Sequence, residues 1–183
     1  MNSTFPRVRR TQAGYNIEQV EDFLEEARRA YGSDVQKVTG IDAQSIRRVS
    51  FEMTKGGYSP EHVDNALDRL EDAFAKRERE RAIGEEGEED YFGRIQAEAV
   101  AVLEQLSKPN EERFTRLGPF RKGYRIDQVD EFTEAIVSYL NDGPEMSPEQ
   151  VRQKSFDAQR GGYDEDEVDD VLDRVIFLMQ AVR

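Results

Sequence analysis

The chain has 183 residues, of which 37% are apolar and 36% are charged, with one histidine and no cysteine. Its formal net charge of −13 argues against a nucleic-acid binder, since phosphates would repel it, and the lack of cysteine removes disulfides and thiolate-bound metals. No apolar run approaches the roughly 20 residues of a membrane-spanning helix, and the N-terminus has no apolar secretory segment, so we expect a cytoplasmic protein.

The first predicted element is an amphipathic helix that follows the pair Gly14-Tyr15. Asn16 stands directly after the tyrosine and is a preferred N-cap residue, so we expect the helix to begin there. The apolar residues behind it recur at helical spacing on one side: Val20, Phe23, Leu24, Ala27 and Tyr31. The stretch from Gly32 to Gly40 is then predicted to be a short linker.

A short helix is predicted next, opening at Asp42, and it leads to a second pair, Gly57-Tyr58. Ser59 occupies the N-cap position, and Pro60 stands at the first helical position, where its missing N–H costs nothing. The longer helix that follows has a clear apolar stripe: Val63, Ala66, Leu67, Leu70 and Phe74. This segment is therefore predicted to be a short helix, a tight turn and a longer helix.

Residues 83–90, with the sequence IGEEGEED, contain two glycines and five acids and are the best linker candidate. One more helix is predicted from Tyr91 to Leu106, and Pro109 ends it. We therefore predict three regions. They are a first pair of motifs over residues 1–85, an acidic linker with its connecting helix over 86–112, and a second pair of motifs over 113–183.

The second half of the chain repeats the order of the first. Gly123-Tyr124 precedes a helix, but Arg125 occupies the N-cap position and caps poorly, so we expect that helix to shift its start or to fray. Its apolar positions match those of the first helix: Val129, Phe132, Ile136, Tyr139 and Leu140. Ser147 then opens a short helix that runs towards Phe156.

The last motif begins at Gly162-Tyr163. Asp164, with Glu167 three residues later, predicts a capping box at the start of the final helix. The apolar stripe of that helix is long: Val168, Val171, Leu172, Val175, Leu178, Met179 and Val182. The fold class predicted from these patterns is all-α.

The four Gly-Tyr segments are copies of one motif, because each has a valine five residues after the tyrosine and an acid directly after the valine. These acids are Glu21, Asp64, Asp130 and Asp169. Type A, at Tyr15 and Tyr124, has one glycine and then Ile-x-Gln-Val, whereas type B, at Tyr58 and Tyr163, has two glycines. The order A-B-A-B indicates that an ancestral pair was duplicated. We expect each type A segment to pair with a type B segment inside one chain.

At these residues the sequence resembles the DivIVA domain, a bacterial cell-division and polar-growth module. Lys154-Ser155-Phe156 and the run from Gly162 to Asp169 match the family pattern best, and the match ends in Leu172-Asp173. The four copies are similar to actinobacterial DivIVA-domain repeat proteins. The resemblance implies duplicated helix-turn-helix motifs, binding to other proteins, and a place at the septum or cell pole. In the family, a loop inserts a Phe-Arg pair into the membrane.

Two sets of residues are candidate interaction sites. The motif pairs form either a recognition edge for a partner or a purely structural turn: Gly14, Tyr15, Gly57, Tyr58, Gly123, Tyr124, Gly162 and Tyr163. The second set is Phe120, Arg121 and Lys122, an aromatic followed by two cations, which is a candidate membrane or partner contact. Each cation contributes about 1 kcal/mol near an anionic surface, so we expect weak, salt-sensitive membrane contact for a chain of this negative charge.

We find no sequence pattern for catalysis, a metal or a cofactor. His62 is the only histidine and is predicted to be an exposed first-turn residue, because one imidazole makes neither a metal site nor a catalytic dyad. An enzyme would need a site of Asp, Glu, Arg and Tyr in a polar pocket. We therefore predict a non-catalytic module without cofactors that binds other proteins, further copies of itself among them, but no nucleic acid. The alternative is a membrane-associating scaffold that uses the motif loops.

Overall fold

The computed structural model describes residues 4–32, 40–141 and 143–182. The chain divides into two compact units, Met1–Glu80 and Arg81–Arg183. Most of the described residues are helical, which confirms the helical character predicted from the sequence. Within the described ranges, none of the helices combines the length and the apolar character needed to cross a bilayer.

Within its described residues, the first unit contains two short strands and three helices, the last of which continues into the second unit. In chain order they are β1 (Ala13–Tyr15), α1 (Ile17–Gly32), α2 (Ala43–Arg48), β2 (Met53–Lys55) and α3 (Pro60–Glu86). The second unit repeats the order strand, helix, short helix, strand, helix after one additional helix. Its elements are α4 (Glu88–Leu106), β3 (Lys122–Tyr124), α5 (Ile126–Leu140), α6 (Pro148–Arg152), β4 (Ala158–Arg160) and α7 (Glu165–Ala181).

Two small antiparallel sheets, which the sequence did not predict, accompany the helices. β1 pairs with β2, with Gly14 opposite Thr54, and β3 pairs with β4, with Gly123 opposite Gln159. Each strand has only three residues, which is too short for a period of two to be visible in the sequence. Each ladder joins a type A segment to the following type B segment, so the predicted pairing within one chain is confirmed.

Most of the predicted helix starts agree with the structure. Asn16 accepts a hydrogen bond from the Gln19 N–H (3.2 Å), and both Asp42 and Ser147 form capping boxes. Asp164 accepts from the Glu167 N–H (3.3 Å). The other hydrogen bond of the predicted capping box, in which the Glu167 side chain would accept from the Asp164 N–H, is nevertheless wrong. The Glu167 carboxylate accepts from the Thr115 N–H (2.7 Å) instead, because the N-terminal part of the type A segment lies beside it.

The expectation that the helix behind Arg125 shifts or frays is also wrong. Helix α5 begins at Ile126, at the position that matches Ile17 in α1. Its first N–H, on Ile126, donates to the side-chain oxygen of Gln159 (3.2 Å) in the paired strand. The paired strand therefore supplies an acceptor for one of the N–H groups that the first turn of a helix leaves without an intrahelical partner.

Residues 83–90 are helical rather than a loop. Helix α3 continues to Glu86, Gly87 has a φ of 90°, and α4 begins at Glu88. Ala82 and Ile83 pack against the core of the second unit, and the acids that follow Gly87 favour a helix N-terminus. The connecting helix also belongs to that core, through Tyr91 and Leu106. Most of the second predicted linker, residues 33–39, lies outside the described residues.

Each unit has its own buried core. In the first unit, one cluster is formed by Val20, Tyr58 and Val63, and a second by Ala27, Ala30, Ile41, Ala43, Ile46 and Phe74. The second unit has one larger cluster, in which helix α4 packs with α5 and α7. Its fully buried members are Val102, Leu106, Ile136, Tyr163, Val168 and Val175. The helical stripes predicted from the sequence supply seven of these residues: Val20, Ala27, Val63, Phe74, Ile136, Val168 and Val175.

The motif glycines allow two backbones to approach each other closely. A Cβ on any of four glycines would lie far inside contact distance of a tyrosine carbonyl in the facing segment: Gly14, Gly57, Gly123 and Gly162. The description of every Gly-Tyr pair as a turn is therefore wrong, because Gly14 and Gly123 lie within strands. The turn is made by the extra glycine of type B, Gly56 or Gly161, at φ values of 71° and 66°.

Replacing Gly123 by alanine should therefore destabilise the protein by about 1–3 kcal/mol, because the added Cβ meets the Tyr163 carbonyl and the Leu117 side chain. Gly118→Ala is the matched control, since no heavy atom lies within 4 Å of its added Cβ. Urea unfolding followed by circular dichroism measures both variants. Equal losses of stability in the two would contradict the role assigned to close approach.

Candidate functional site

A pair of tyrosine backbones lies at the centre of each unit. The Tyr15 N–H donates to the Tyr58 carbonyl and the Tyr58 N–H donates to the Tyr15 carbonyl, both at 2.9 Å. Tyr124 and Tyr163 make the same two hydrogen bonds, again at 2.9 Å. In each unit the two tyrosines therefore lie opposite each other and exchange a reciprocal pair of backbone hydrogen bonds, as in an antiparallel ladder.

The tyrosine side chains repeat this exchange, because each interacts with the acid that follows the valine of the facing segment. The Tyr163 hydroxyl donates to Asp130 (3.1 Å), and the Tyr124 hydroxyl donates to Asp169 (3.3 Å). In the first unit the corresponding pairs are Tyr58 with Glu21 and Tyr15 with Asp64. The spacing that defines the motif in the sequence is therefore the spacing that lets two segments bind each other.

Two further motif positions also act across the ladder. The side-chain oxygen of Gln19 accepts from the Glu52 N–H, and that of Gln128 accepts from the Asp157 N–H, both at 2.8 Å. These glutamines are the polar residue of Ile-x-Gln-Val, which distinguishes type A from type B. They satisfy backbone donors that the short strands leave without a partner.

Each of the two type B tyrosines also packs against a phenylalanine ring. Phe5 lies edge-on to Tyr58 at a centroid distance of 5.4 Å, and Phe114 lies edge-on to Tyr163 at 5.3 Å. Both tyrosines are fully buried. Such edge-to-face pairs add to the energy of burial. All four motif tyrosines are therefore engaged inside their own units.

Burial shifts the ionisation of these tyrosines. Burial, followed by the charge of Asp169, raises the pKa of Tyr124 to about 12, and burial, followed by the charge of Asp130, raises the pKa of Tyr163 to about 12. The pKa values of Tyr15 and Tyr58 are raised as well, chiefly by burial. Burial also raises the pKa of Asp169. These hydroxyls are fixed donors at neutral pH.

A buried ion pair in the second unit has no signal in the sequence. Arg113 donates to the Asp130 carboxylate (3.2 Å) and to the Asp130 carbonyl (2.9 Å). The Glu111 N–H donates to the other carboxylate oxygen (2.9 Å). The Arg113 and Asp130 side chains are only 7% and 5% exposed. Arg113 lies 17 residues from Asp130, which is too far for a helical pair, and no local rule predicts this contact.

The second candidate set lies at a loop tip. Phe120 is 92% exposed, and its loop is held by hydrogen bonds from the Arg121 N–H to the Gly118 carbonyl and from the Gly161 N–H to the Arg121 carbonyl, both 2.9 Å. Lys122 stands opposite Arg160 in the ladder. We call Phe120, Arg121, Lys122 and Arg160 the tip. None of its three cations forms an ion pair with a residue that the structure describes.

An open groove of about 1040 Å³ runs beside the start of α5. Its arginines are paired with carboxylates: Arg125 with Asp127 (2.7 Å) and Arg116 with Glu111 (3.1 Å). The guanidinium of Arg125 lowers the pKa of Asp127.

His62 is exposed, with Nδ1 3.0 Å from the Ser59 hydroxyl, and no group of His, Asp or Glu among the described residues could hold a metal ion.

Comparison of the chain with protein-family models, with curated proteins and with solved structures finds no match.

The tyrosine pairs predict how stability depends on alkaline pH. A tyrosine whose pKa is about 12 when folded and 10.0 when unfolded keeps its proton longer in the folded state, so its contribution is complete below pH 10 and is lost as pH rises towards 12. Urea midpoints should therefore fall across this window. Tyr124→Phe should flatten the decline, and an unchanged slope in that variant would contradict this assignment.

Removing the acids of the two buried tyrosines should have unequal effects. Asp130→Ala leaves the buried Arg113 guanidinium with only the half-exposed Glu134 carboxylate, 3.6 Å away, so we expect a loss of about 3 kcal/mol in the free energy of unfolding. Glu21→Ala removes the acceptor of Tyr58 but strands no buried cation, so a loss of about 1 kcal/mol is expected. Chemical denaturation measures both, and equal losses would argue against the role of Arg113.

Proposed function

We propose that this chain is a non-catalytic, DivIVA-like protein–protein interaction module that acts in bacterial cell division or polar growth, in the cytoplasm at the septum or cell pole. The observation that carries the proposal is the tip, where Phe120 stands 92% exposed among three cations. The cellular process rests on the resemblance of the four motifs to the DivIVA domain. The duplicated motifs act as the framework that holds the tip.

The tip has the properties of a contact point. An exposed phenylalanine gains roughly 1.5–3 kcal/mol when a partner buries it fully, and that gain is available only on binding. The loop around it is fixed by backbone hydrogen bonds on both sides of Arg121, so the loop loses little conformational entropy when it docks. The surrounding cations favour a partner with an apolar pocket and an acidic rim.

A comparison of the two units also supports this assignment. The position of Phe120 in the first unit is occupied by Thr11, and the position of Arg121 is occupied by Gln12. The backbone of both loops is the same in one respect, since the Gln12 N–H donates to the Arg9 carbonyl (2.8 Å) as the Arg121 N–H does to Gly118. The first unit therefore forms the same loop hydrogen bond without Phe120 and Arg121, so this backbone conformation does not require them.

The alternative function is a membrane-associating scaffold that uses the motif loops. The same exposed aromatic with adjacent cations favours it, since a phenylalanine can enter the interface while the cations attract anionic headgroups. Three cations at about 1 kcal/mol each make such binding weak on a protein of net charge −13. We therefore place this alternative second.

One experiment separates the two functions. Partners from the native cytoplasm are captured on the purified full chain, and the same chain is sedimented with vesicles of phosphatidylglycerol and phosphatidylethanolamine, or of phosphatidylcholine alone. We expect Phe120→Ala to abolish capture of a protein partner, with Thr11→Ala as the matched control that retains it. Circular dichroism confirms that both variants are folded.

The outcomes are distinct. Capture that depends on Phe120, without sedimentation, supports the interaction module. If the chain sediments with the anionic vesicles but not with phosphatidylcholine, and Phe120→Ala abolishes this sedimentation, the membrane scaffold replaces the interaction module as the proposed function. Capture and sedimentation that are both indifferent to Phe120 overturn both functions at this site.

A further inference from the structure

Each unit contains a matching pair of phenylalanine rings next to its ladder. In the second unit Phe132 and Phe156 have centroids 6.0 Å apart with planes at 62°, and in the first Phe23 and Phe51 are 5.9 Å apart at 70°. The first ring of each pair lies three residues after the motif valine, and the second lies seven residues before the type B tyrosine. The two ring pairs therefore occupy equivalent positions in the two repeats.

The second unit fills this place with its own lysine. The ammonium group of Lys154 lies 5.1 Å from the centroid of Phe132 and 5.6 Å from that of Phe156. Both distances are within the range in which a cation is attracted to the face of an aromatic ring. The second unit therefore shows directly which chemical group the two rings accept.

The first unit lacks that lysine. Val49 stands two residues before Phe51, where Lys154 stands two residues before Phe156. An open pocket of about 510 Å³ remains there, which we call the phenylalanine pocket, and its lining includes Gln19, Asp22, Phe23, Glu26, Val49, Phe51 and Glu52. Its volume lies within the range of ligand-binding pockets.

The charges around the phenylalanine pocket favour the same kind of occupant. Asp22, Glu26 and Glu52 surround the two rings, and none of the three forms an ion pair with a residue in the described ranges. The position of Glu26 is Ala135 in the second unit, so the first unit has one carboxylate more and one lysine fewer. The pocket therefore contains two features that favour a cation: a ring pair equivalent to the one that accepts Lys154, and carboxylates that have no ion-pair partner among the described residues.

We infer that the phenylalanine pocket binds a lysine side chain of a partner protein, in the position that Lys154 occupies in the second unit. The aliphatic part of the lysine packs beside Val49, and its ammonium group lies over Phe23 and Phe51 within reach of the carboxylates. This inference rests on the proposed interaction function and adds a second contact point with defined chemistry. The tip and the pocket are independent sites in separate units.

The test uses the full chain and a glycine-rich pentapeptide that carries one central lysine. Binding is followed through the ring proton signals of Phe23 and Phe51 in nuclear magnetic resonance spectra, with a norleucine peptide as the uncharged match. We expect the lysine peptide to shift these signals and the norleucine peptide to leave them unchanged. Equal shifts with both peptides would overturn the inference, because the pocket would then recognise only the apolar stem.

Three variants test the site from both directions. Val49→Lys copies the second unit and should abolish binding, because the chain then supplies its own ammonium group. Lys154→Val copies the first unit and should create a second site, seen as new shifts at Phe132 and Phe156. Phe51→Leu removes one ring and should weaken binding about two- to fivefold. Unfolding curves confirm that each variant is folded.

The results also separate this inference from the proposed function. If Val49→Lys binds the peptide as the parent chain does, or if no peptide shifts the rings, the lysine site is overturned. Capture of a partner that still depends on Phe120 would then leave the interaction function standing. Loss of Phe120-dependent capture with the ring shifts retained would give the opposite result, a lysine-binding pocket without the proposed tip.

Discussion

The close antiparallel approach of two Gly-Tyr backbones is the contact on which each unit depends. Two tyrosines exchange backbone hydrogen bonds at 2.9 Å, and the neighbouring glycines leave no room for a Cβ. Because the backbones are this close, each tyrosine ring reaches the helix of the facing segment and donates to its acid. The ladder, the buried rings and the helix starts therefore form one connected arrangement, and a change in the glycine disturbs all of them.

This arrangement explains why so many motif residues are shared between the repeats. The tyrosine, the acid and the type A glutamine each satisfy a group in the facing segment, so any of them replaced alone leaves a polar partner unsatisfied. Positions free of this requirement differ between the units. Phe120 replaces Thr11, and Lys154 replaces Val49. The candidate functional features lie at those differences, because the shared residues are already engaged in holding the fold.

The two units also stabilise their buried tyrosines by different means. In the second unit Asp130 is buried and is held by Arg113 and by a backbone N–H, whereas in the first unit Glu21 stays exposed. The first unit has a buried ion pair elsewhere, between Arg47 and Glu71 at 2.7 Å. One repeat therefore has a charge network at the motif and the other has one between helices, while the ladder geometry is common to both.

The sequence by itself determined the helices, most of their capped starts and the A-B-A-B repeat, since helical periodicity and capping depend on residues at most four positions apart. It did not determine the strands, the tyrosine–acid exchange or the Arg113–Asp130 pair, because these contacts join segments that are distant in the chain. It also suggested a loop at residues 83–90, where packing of Ala82 and Ile83 favours helix. The glycine and tyrosine were visible as a pattern from the start. Only the tertiary structure decided that they bring two backbones together, and that the ring pair beside them accepts a lysine in one unit and stays open in the other.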